Sequence, residues 1–337
     1  MKNILIIQTA FLGDVILATA LAETLYHKYQ DANIDFLINK KNSSLLEAHP
    51  FIKKILLFDK QSGKIREIFR LLKIIRHRKY DAVINVHRFM SSGILTAFSK
   101  APVRSGYKKN PLSMFFTHRC DHHYENIHET ERNLQLISFT GIDKTLLPKL
   151  YLSADIIKST EKYKTRKYIC IAPASVWFTK QFPDSKWIEL INSLPEDLTI
   201  YLLGAPDDIE VCKKISSHSV HKNVIVLSGK LTLLQTASLM KDAVMNYVND
   251  SAPLHITSAV NSPVTAIFCS TLPSFGFGPL SSDALIVETL KTLKCRPCGI
   301  HGLSSCQLKH FDCAFSIDTE ILSNRTIQKL KPAQLYD

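Results

Sequence analysis

Three short segments carry the residue types that chemistry at a charged leaving group requires. The first, Gln8-Thr9-Ala10-Phe11-Leu12-Gly13-Asp14, sets a carboxylate just inside the start of an apolar, helix-period run. A carboxylate in that place serves as a proton acceptor, or simply as a first-turn residue favoured by the helix dipole. The second, Ala172 to Pro183, is a loop of small residues with a single lysine. The ammonium of Lys180 can neutralise a phosphate as a point charge, or stand solvated. The third, Asn249-Asp250-Ser251-Ala252-Pro253-Leu254-His255, reads as a helix start, with Ser251 at the N-cap and Pro253 in the first turn. Amide N–H groups at such a start point toward an anion, so this segment is either a diphosphate site or an ordinary capped helix.

A fourth pattern lies near the C-terminus, where Cys295-x2-Cys298-x7-Cys306-x6-Cys313 encloses His301 and His310. A Cys-x-x-Cys pair can give two thiolates to one tetrahedral zinc ion. Reduced packed thiols or a disulfide are the alternatives, and the reading adopted assigns no metal. His118, His122, His123 and His128 lack a convincing ligand spacing and read as a polar loop.

Each of the first three segments follows a short β-branched run and leads into a helix-period stretch. Ile4–Ile7, Ile34–Ile38, Lys54–Phe58 and Ala82–Val86 read as strands, with helices over Val15–Tyr29 and Lys64–Lys79. The rhythm restarts at Tyr168–Ala172 and continues with strands at Thr199–Leu203, Val224–Leu227, Ala243–Val248 and Val264–Phe268. Helices are expected near Asp207–Ile215, Leu231–Lys241 and Pro253–Val260. Strands alternating with helices imply parallel sheets, and ligands bind at the carboxyl ends of such strands. The chain thus reads as two Rossmann-like α/β domains facing across a cleft, 1–160 and 161–337, joined through the Lys-rich stretch Lys158–Lys167.

Length and composition agree. A chain of 337 residues, 45% hydrophobic and with only 11 Gly and 14 Pro, can fill two cores and is not a disordered or collagenous polymer. Neither a G-x-G-x-x-G nor a Walker A run occurs, which removes the usual support for dinucleotide and P-loop readings. Of the net charge of +12, +9 falls within residues 51–100, where 12 Lys/Arg face 3 Asp/Glu. An anionic partner is implied: nucleic acid, membrane surface or acidic substrate. In the helix Lys64–Lys79, Ile65, Ile68, Phe69, Leu72 and Ile75 take core spacing, and Arg66, Arg70, Lys73 and His77 the opposite side. That side is either a solvated charged face or a surface-binding one. Asp14 interrupts the apolar N-terminal run and argues against a signal peptide; with no 18-residue apolar window and scattered cysteines, a cytoplasmic setting is expected.

Taken in order, Gly13-Asp14, then Lys180 with Phe182-Pro183 and Trp187, then Asp250-Ser251-x-Pro253-x-His255 resemble glycosyltransferase family nine, the bacterial lipopolysaccharide heptosyltransferases. Ala252 departs from the glycine usual in that family's Asp-Ser-Gly-Pro run. The resemblance implies a GT-B fold whose N-terminal domain takes the acceptor sugar and whose C-terminal domain takes a nucleotide-diphosphate sugar, usually ADP-heptose. It further implies inverting transfer without a metal ion. Asp14 would then be the general base, and Lys180 would stabilise the departing diphosphate. Gly13, Ser175, Thr179, Lys180, Asp250, Ser251, Ala252, Pro253 and His255 would form the donor site.

The basic first half fits an acidic, lipid-linked saccharide acceptor at the cytoplasmic face of the inner membrane, with Arg88 and Arg104 as candidate contacts. Trp177 and Phe178 either line a base pocket or pack. A nucleotide-sugar epimerase or hydrolase, or a transferase with another donor, is the alternative on the same fold. Nucleic-acid binding is disfavoured, because Cys295–Cys313 carries only Arg296 and Lys309 against Asp312.

Overall fold

The computed structural model describes residues 1–124 and 126–331 and divides into two compact units, Met1–Tyr151 and Leu152–Asp337. The last residues of the expected second domain, 332–337, lie outside the described residues.

The first unit is a six-stranded parallel sheet of β1 (Asn3–Ile7), β2 (Asn33–Asn39), β3 (Ile52–Phe58), β4 (Ala82–Asn85), β5 (Val103–Tyr107) and β6 (His118–Cys120), in the order β3-β2-β1-β4-β5-β6. Ile4 to Ile7 are completely buried, as expected of a central parallel strand covered on both faces. Asp35 interrupts the apolar β2 yet is also buried, and it is matched by the Arg78 guanidinium at 2.6 Å and the Tyr80 hydroxyl at 2.5 Å. A buried carboxylate without such partners would be strongly destabilising.

The second unit repeats the plan with β7 (Tyr168–Ala172), β8 (Thr199–Leu202), β9 (Val224–Val226), β10 (Met245–Asn249), β11 (Val264–Phe268) and β12 (Ala284–Glu288), ordered β12-β11-β10-β7-β8-β9 and again all parallel. Trp187 is fully buried in its core and meets the Phe182 ring edge-on at 5.1 Å. Both sheets are therefore doubly wound, with a reversal of strand order between β1 and β4 in one and between β7 and β10 in the other.

Two expectations shift. The Lys-rich stretch is not a linker: Ala154–Thr160 is a helix capped by Ser153, and Thr160, Ser159 and Lys164 bond Ser238, Gln235 and Asp242 of the second unit. The chain before it belongs to the first unit, since Leu146 and Lys149 donate backbone N–H groups to Thr24 and Thr19 and Tyr151 bonds buried Glu23. The division accordingly falls at Tyr151/Leu152, earlier than the expected 160/161. In the helix Lys64–Arg78, the buried stripe is Ile68, Leu71, Leu72 and Ile75, while Ile65 and Phe69 are exposed. The apolar spacing is right for a helix, but its core face is turned one position from that expected.

Candidate functional site

In the first unit the sheet reverses between β1 and β4, and the loops leaving these strands meet there. Val86 donates to the Ile7 carbonyl at 3.0 Å, and Thr9 Oγ1 lies 2.9 Å from His87 Nδ1. Lys60, just beyond β3, reaches across to donate to the Thr9 carbonyl at 3.1 Å. Helix Leu12–Lys28 starts beside this junction, with Gly13 buried and Asp14 half-buried in its first turn. Asp14 Oδ2 accepts the Phe11 N–H at 3.2 Å, which steers the carboxylate back toward the loop end of the helix. Phe11 and Phe89, the residues that leave the two strands, stand exposed.

Burial, with the cations of Lys60 and Arg88 nearby, holds the pKa of His87 down at about 4. The imidazole is thus neutral at pH 7, whereas an unfolded-chain histidine titrates near about 6.5. Between these two values the unfolded chain binds more protons, so stability falls as pH drops from about 6.5 to about 4 and levels off below. His87→Gln keeps a polar partner for Thr9 and is expected to remove on the order of 3 kcal/mol of this acid sensitivity. Denaturant unfolding across that range checks it; an acid limb as steep as wild type's would show that His87 does not titrate as described.

Of the histidines at 118, 122, 123 and 128, read as a polar loop, His123 is exposed but His122 is not. His122 is buried between Tyr107 and Tyr124, receives a hydrogen bond from Arg88 at 2.7 Å and lies 3.6 Å from Glu129. Arg132 completes the set by pairing with Glu129 at 2.7 Å. Arg88 is therefore part of a buried charged network, and Arg104 donates to the carbonyls of Ala101 and Phe115.

In the second unit the reversal between β7 and β10 gathers most of the expected donor residues. Asn249, the last residue of β10, is buried and its amide ties the loop leaving β7 at two points, accepting from Phe182 N–H at 3.0 Å and donating to the Pro173 carbonyl at 2.7 Å. Held in this way, the loop presents Lys180, whose ammonium pairs with Asp250 Oδ2 at 2.7 Å. Both side chains are largely buried, and the Thr271 hydroxyl donates to the same carboxylate oxygen at 2.7 Å. Thr179 is buried, accepts from Ser270 at 2.9 Å and from the Leu303 N–H at 2.8 Å, and fixes the lysine's neighbour. Ser175 contributes its carbonyl to Gln181 at 2.6 Å.

Helix Ala252–Val260 begins next to Asp250, with Pro253 in its first turn. Ser251 occupies the N-cap position, but its hydroxyl does not cap: it faces the Asn249 carbonyl at 3.4 Å. The first amides thus lack an N-cap side-chain bond from Ser251, and such backbone N–H groups confer an anion-receptive character. His255 is buried in the first turn and its ring faces Phe277. Phe178 stacks on Phe311 at 5.2 Å, which is packing within the unit.

Gly13 and Asp14 thus belong to the first unit and the other expected site residues to the second. Lys60 and His87 at the first junction and Ser270 and Thr271 at the second had no sequence motif, while Thr9 and Asn249 stood in the segments singled out but without an assigned role. Gly302 also went unnoticed. It sits at φ +79°, and a Cβ there would come within 3.1 Å of Lys180 Cγ and of Thr179 Oγ1. Only a glycine fits that backbone and that closeness without strain.

The C-terminal cysteines line a pocket of about 340 Å³ together with Thr179, Leu303 and Phe311. Cys295 Sγ lies 3.8 Å from His310 Nε2, but no three His, Cys, Asp or Glu side chains are grouped to hold a metal ion among the described residues. Burial raises the Cys313 thiol to about 12, keeping it protonated at neutral pH.

Comparison with known proteins adds to this geometry. The sequence model of glycosyltransferase family 9 (heptosyltransferase) matches residues 68–302. Lipopolysaccharide heptosyltransferase 3 of Escherichia coli is 26% identical over 280 residues, covering 77% of this chain and 82% of the relative. Among solved structures, a family 9 glycosyl transferase from Veillonella parvula superposes with a TM-score of 0.83 at 21% identity, over 97% of each chain. The E. coli ADP-heptose lps heptosyltransferase II superposes with a TM-score of 0.78 at 21% identity, over 98% of this chain and 99% of that one.

Proposed function

This chain belongs to glycosyltransferase family 9, the heptosyltransferases, and from that premise we propose an inverting, metal-independent transfer of heptose, or a related sugar, from ADP-heptose to a lipopolysaccharide core acceptor. Membership makes it a glycosyltransferase rather than an epimerase or hydrolase. The observation that carries the donor reading is the buried Lys180–Asp250 pair beside the uncapped start of helix Ala252–Val260, at the strand reversal of the second unit.

The first unit takes the acceptor and the second the donor. An acceptor hydroxyl attacks the anomeric carbon, the bond from that carbon to the diphosphate oxygen breaks, and the electron pair leaves with ADP. Asp14 takes the hydroxyl proton as general base. Charge growing on the diphosphate meets the Lys180 ammonium and the helix-end amides, which supply the stabilisation that a divalent cation gives in other transferases. Asp250 holds the lysine in place, Thr179 and Ser175 shape the loop, and Ser251 to His255 present the helix end. The protein works at the cytoplasmic face of the inner membrane on an acidic lipid-linked acceptor, with no nucleic acid partner. Among the described residues no helix is long and apolar enough to cross a membrane.

A calorimetric screen of ADP, UDP, GDP and CMP, run with chelator present, tests this reading. ADP is expected to bind and the other three not. Binding of UDP or GDP instead would keep the transferase and replace the donor; no binding by any would remove the site from this loop.

A further inference from the structure

The helix Lys64–Arg78 buries Ile68, Leu71, Leu72 and Ile75 but leaves Phe69 68% exposed. Against it runs the helix Met90–Ala97, whose end residue Phe98 is 43% exposed. Phe69, Leu72, Lys73, Arg76, Ile94 and Phe98 line an open groove of about 590 Å³ between them. The apolar surface continues past the groove, since Phe98 lies 5.8 Å from the ring of Phe115, itself 46% exposed. Exposed aromatic side chains grouped like this are costly in water and mark a surface that meets something less polar.

Charge says what that partner is. Arg70 is taken by Glu67 and Arg78 by Asp35, but Arg66 and Lys73 have no carboxylate partner among the described residues. Arg76 spends its Nε–H on the Phe98 carbonyl at 2.8 Å, which holds the guanidinium at the edge of the aromatic ridge. The one acidic side chain of this helix, Glu67, is buried and already paired. Aromatic rings rimmed by unpaired cations match the boundary between lipid headgroups and acyl chains, where rings partition and cations meet anionic phosphates.

We infer that this surface docks the protein on an anionic lipid bilayer, with Phe69, Phe98 and Phe115 entering the headgroup layer and Arg66, Lys73 and Arg76 facing lipid phosphates. The inference deepens the proposed reaction and rests on its lipid-linked acceptor, which such docking would bring to the acceptor unit.

Co-sedimentation of the full chain with vesicles tests it, using phosphatidylcholine alone and phosphatidylcholine with about three parts in ten phosphatidylglycerol. Wild type is expected to pellet with the anionic vesicles, to stay in solution with the neutral ones, and to be released as salt screens the charges. Arg66→Glu with Lys73→Glu, and separately Phe69→Ser with Phe98→Ser, should each weaken binding by about tenfold or more. Lys158→Glu with Lys222→Glu removes the same charge from exposed sites of the second unit and should leave binding close to wild type. Melting midpoints within about 2 °C of wild type confirm that the variants fold.

Equal binding to neutral vesicles, undiminished binding by Arg66→Glu/Lys73→Glu, or an equal loss in the control pair would overturn the inference. So would self-association that Phe69→Ser/Phe98→Ser abolishes in a protein that ignores vesicles, which would assign the ridge to a second copy of the chain. ADP calorimetry on the wild-type protein separates the two readings: a wild type that ignores anionic vesicles yet binds ADP strikes only this surface, and one that pellets with them yet binds no ADP strikes only the donor site.

Discussion

Asp14→Asn is expected to slow glycosyl transfer by about 10²-fold or more while ADP binds as in wild type. The substitution keeps the size and shape of the side chain, and its amide oxygen can still accept the Phe11 N–H that the carboxylate accepts at 3.2 Å. Asparagine also suits a helix start, and the lost dipole interaction of a first-turn anion costs about 0.3 to 1 kcal/mol. What disappears is the basic oxygen to which the proposed reaction assigns the acceptor's proton. The effect belongs on the chemical step, so single-turnover rates should fall while calorimetric ADP affinity stays level, the donor loop lying in the other unit. Near-normal turnover would remove Asp14 as the base. Equal losses in ADP affinity and in rate would make it a structural residue.

Much of the frame behind that residue was legible in the sequence. Central parallel strands buried on both faces leave an unbroken apolar signature, and Ile4–Ile7, Tyr168–Ala172 and Val264–Phe268 were readable for that reason. Three strands without that constraint went unread. Val103–Tyr107 carries Arg, Ser and Gly, His118–Cys120 has three residues, and Ala284–Glu288 is a half-exposed edge. Their strand state comes from the neighbour they pair with, which a local pattern cannot see.

The same distinction governs the site. Lys180 and the Asp250-to-His255 run were legible because they sit where strands of this order end. Their pairing was not, because β7 and β10 become neighbours only when the intervening chain folds over the sheet. Helix Lys64–Arg78 shows the limit from another side: Ile65 and Phe69 have helical spacing, but burial depends on where β3 and the helix Met90–Ala97 stop.

Lys180→Ala should lower ADP affinity by about 10- to 100-fold and transfer by about 10²- to 10³-fold, for two reasons that can be separated. One is the missing ammonium, the single lysine charge of the loop Ala172–Pro183, which the proposed reaction sets against the diphosphate. The other is the carboxylate left behind. Asp250 is only 5% exposed, and once Lys180 is gone it keeps the hydrogen bond from the Thr271 hydroxyl, loses its counter-charge and repels any incoming anion. Removing one member of a buried pair costs about 3 to 5 kcal/mol because a charge is stranded, so stability should fall as well. Lys180→Ala combined with Asp250→Asn removes the stranded charge and should recover most of the stability and part of the ADP affinity. It should recover little of the transfer rate, since no cation has returned to meet the leaving diphosphate. Lys180→Arg makes a further distinction, because a planar guanidinium in the tight space beside Gly302 keeps the charge but not the point geometry, and should retain ADP binding better than transfer. ADP affinity unchanged in Lys180→Ala would place the diphosphate elsewhere; a double variant no more stable than the single would show that Asp250 is not held by this lysine in solution.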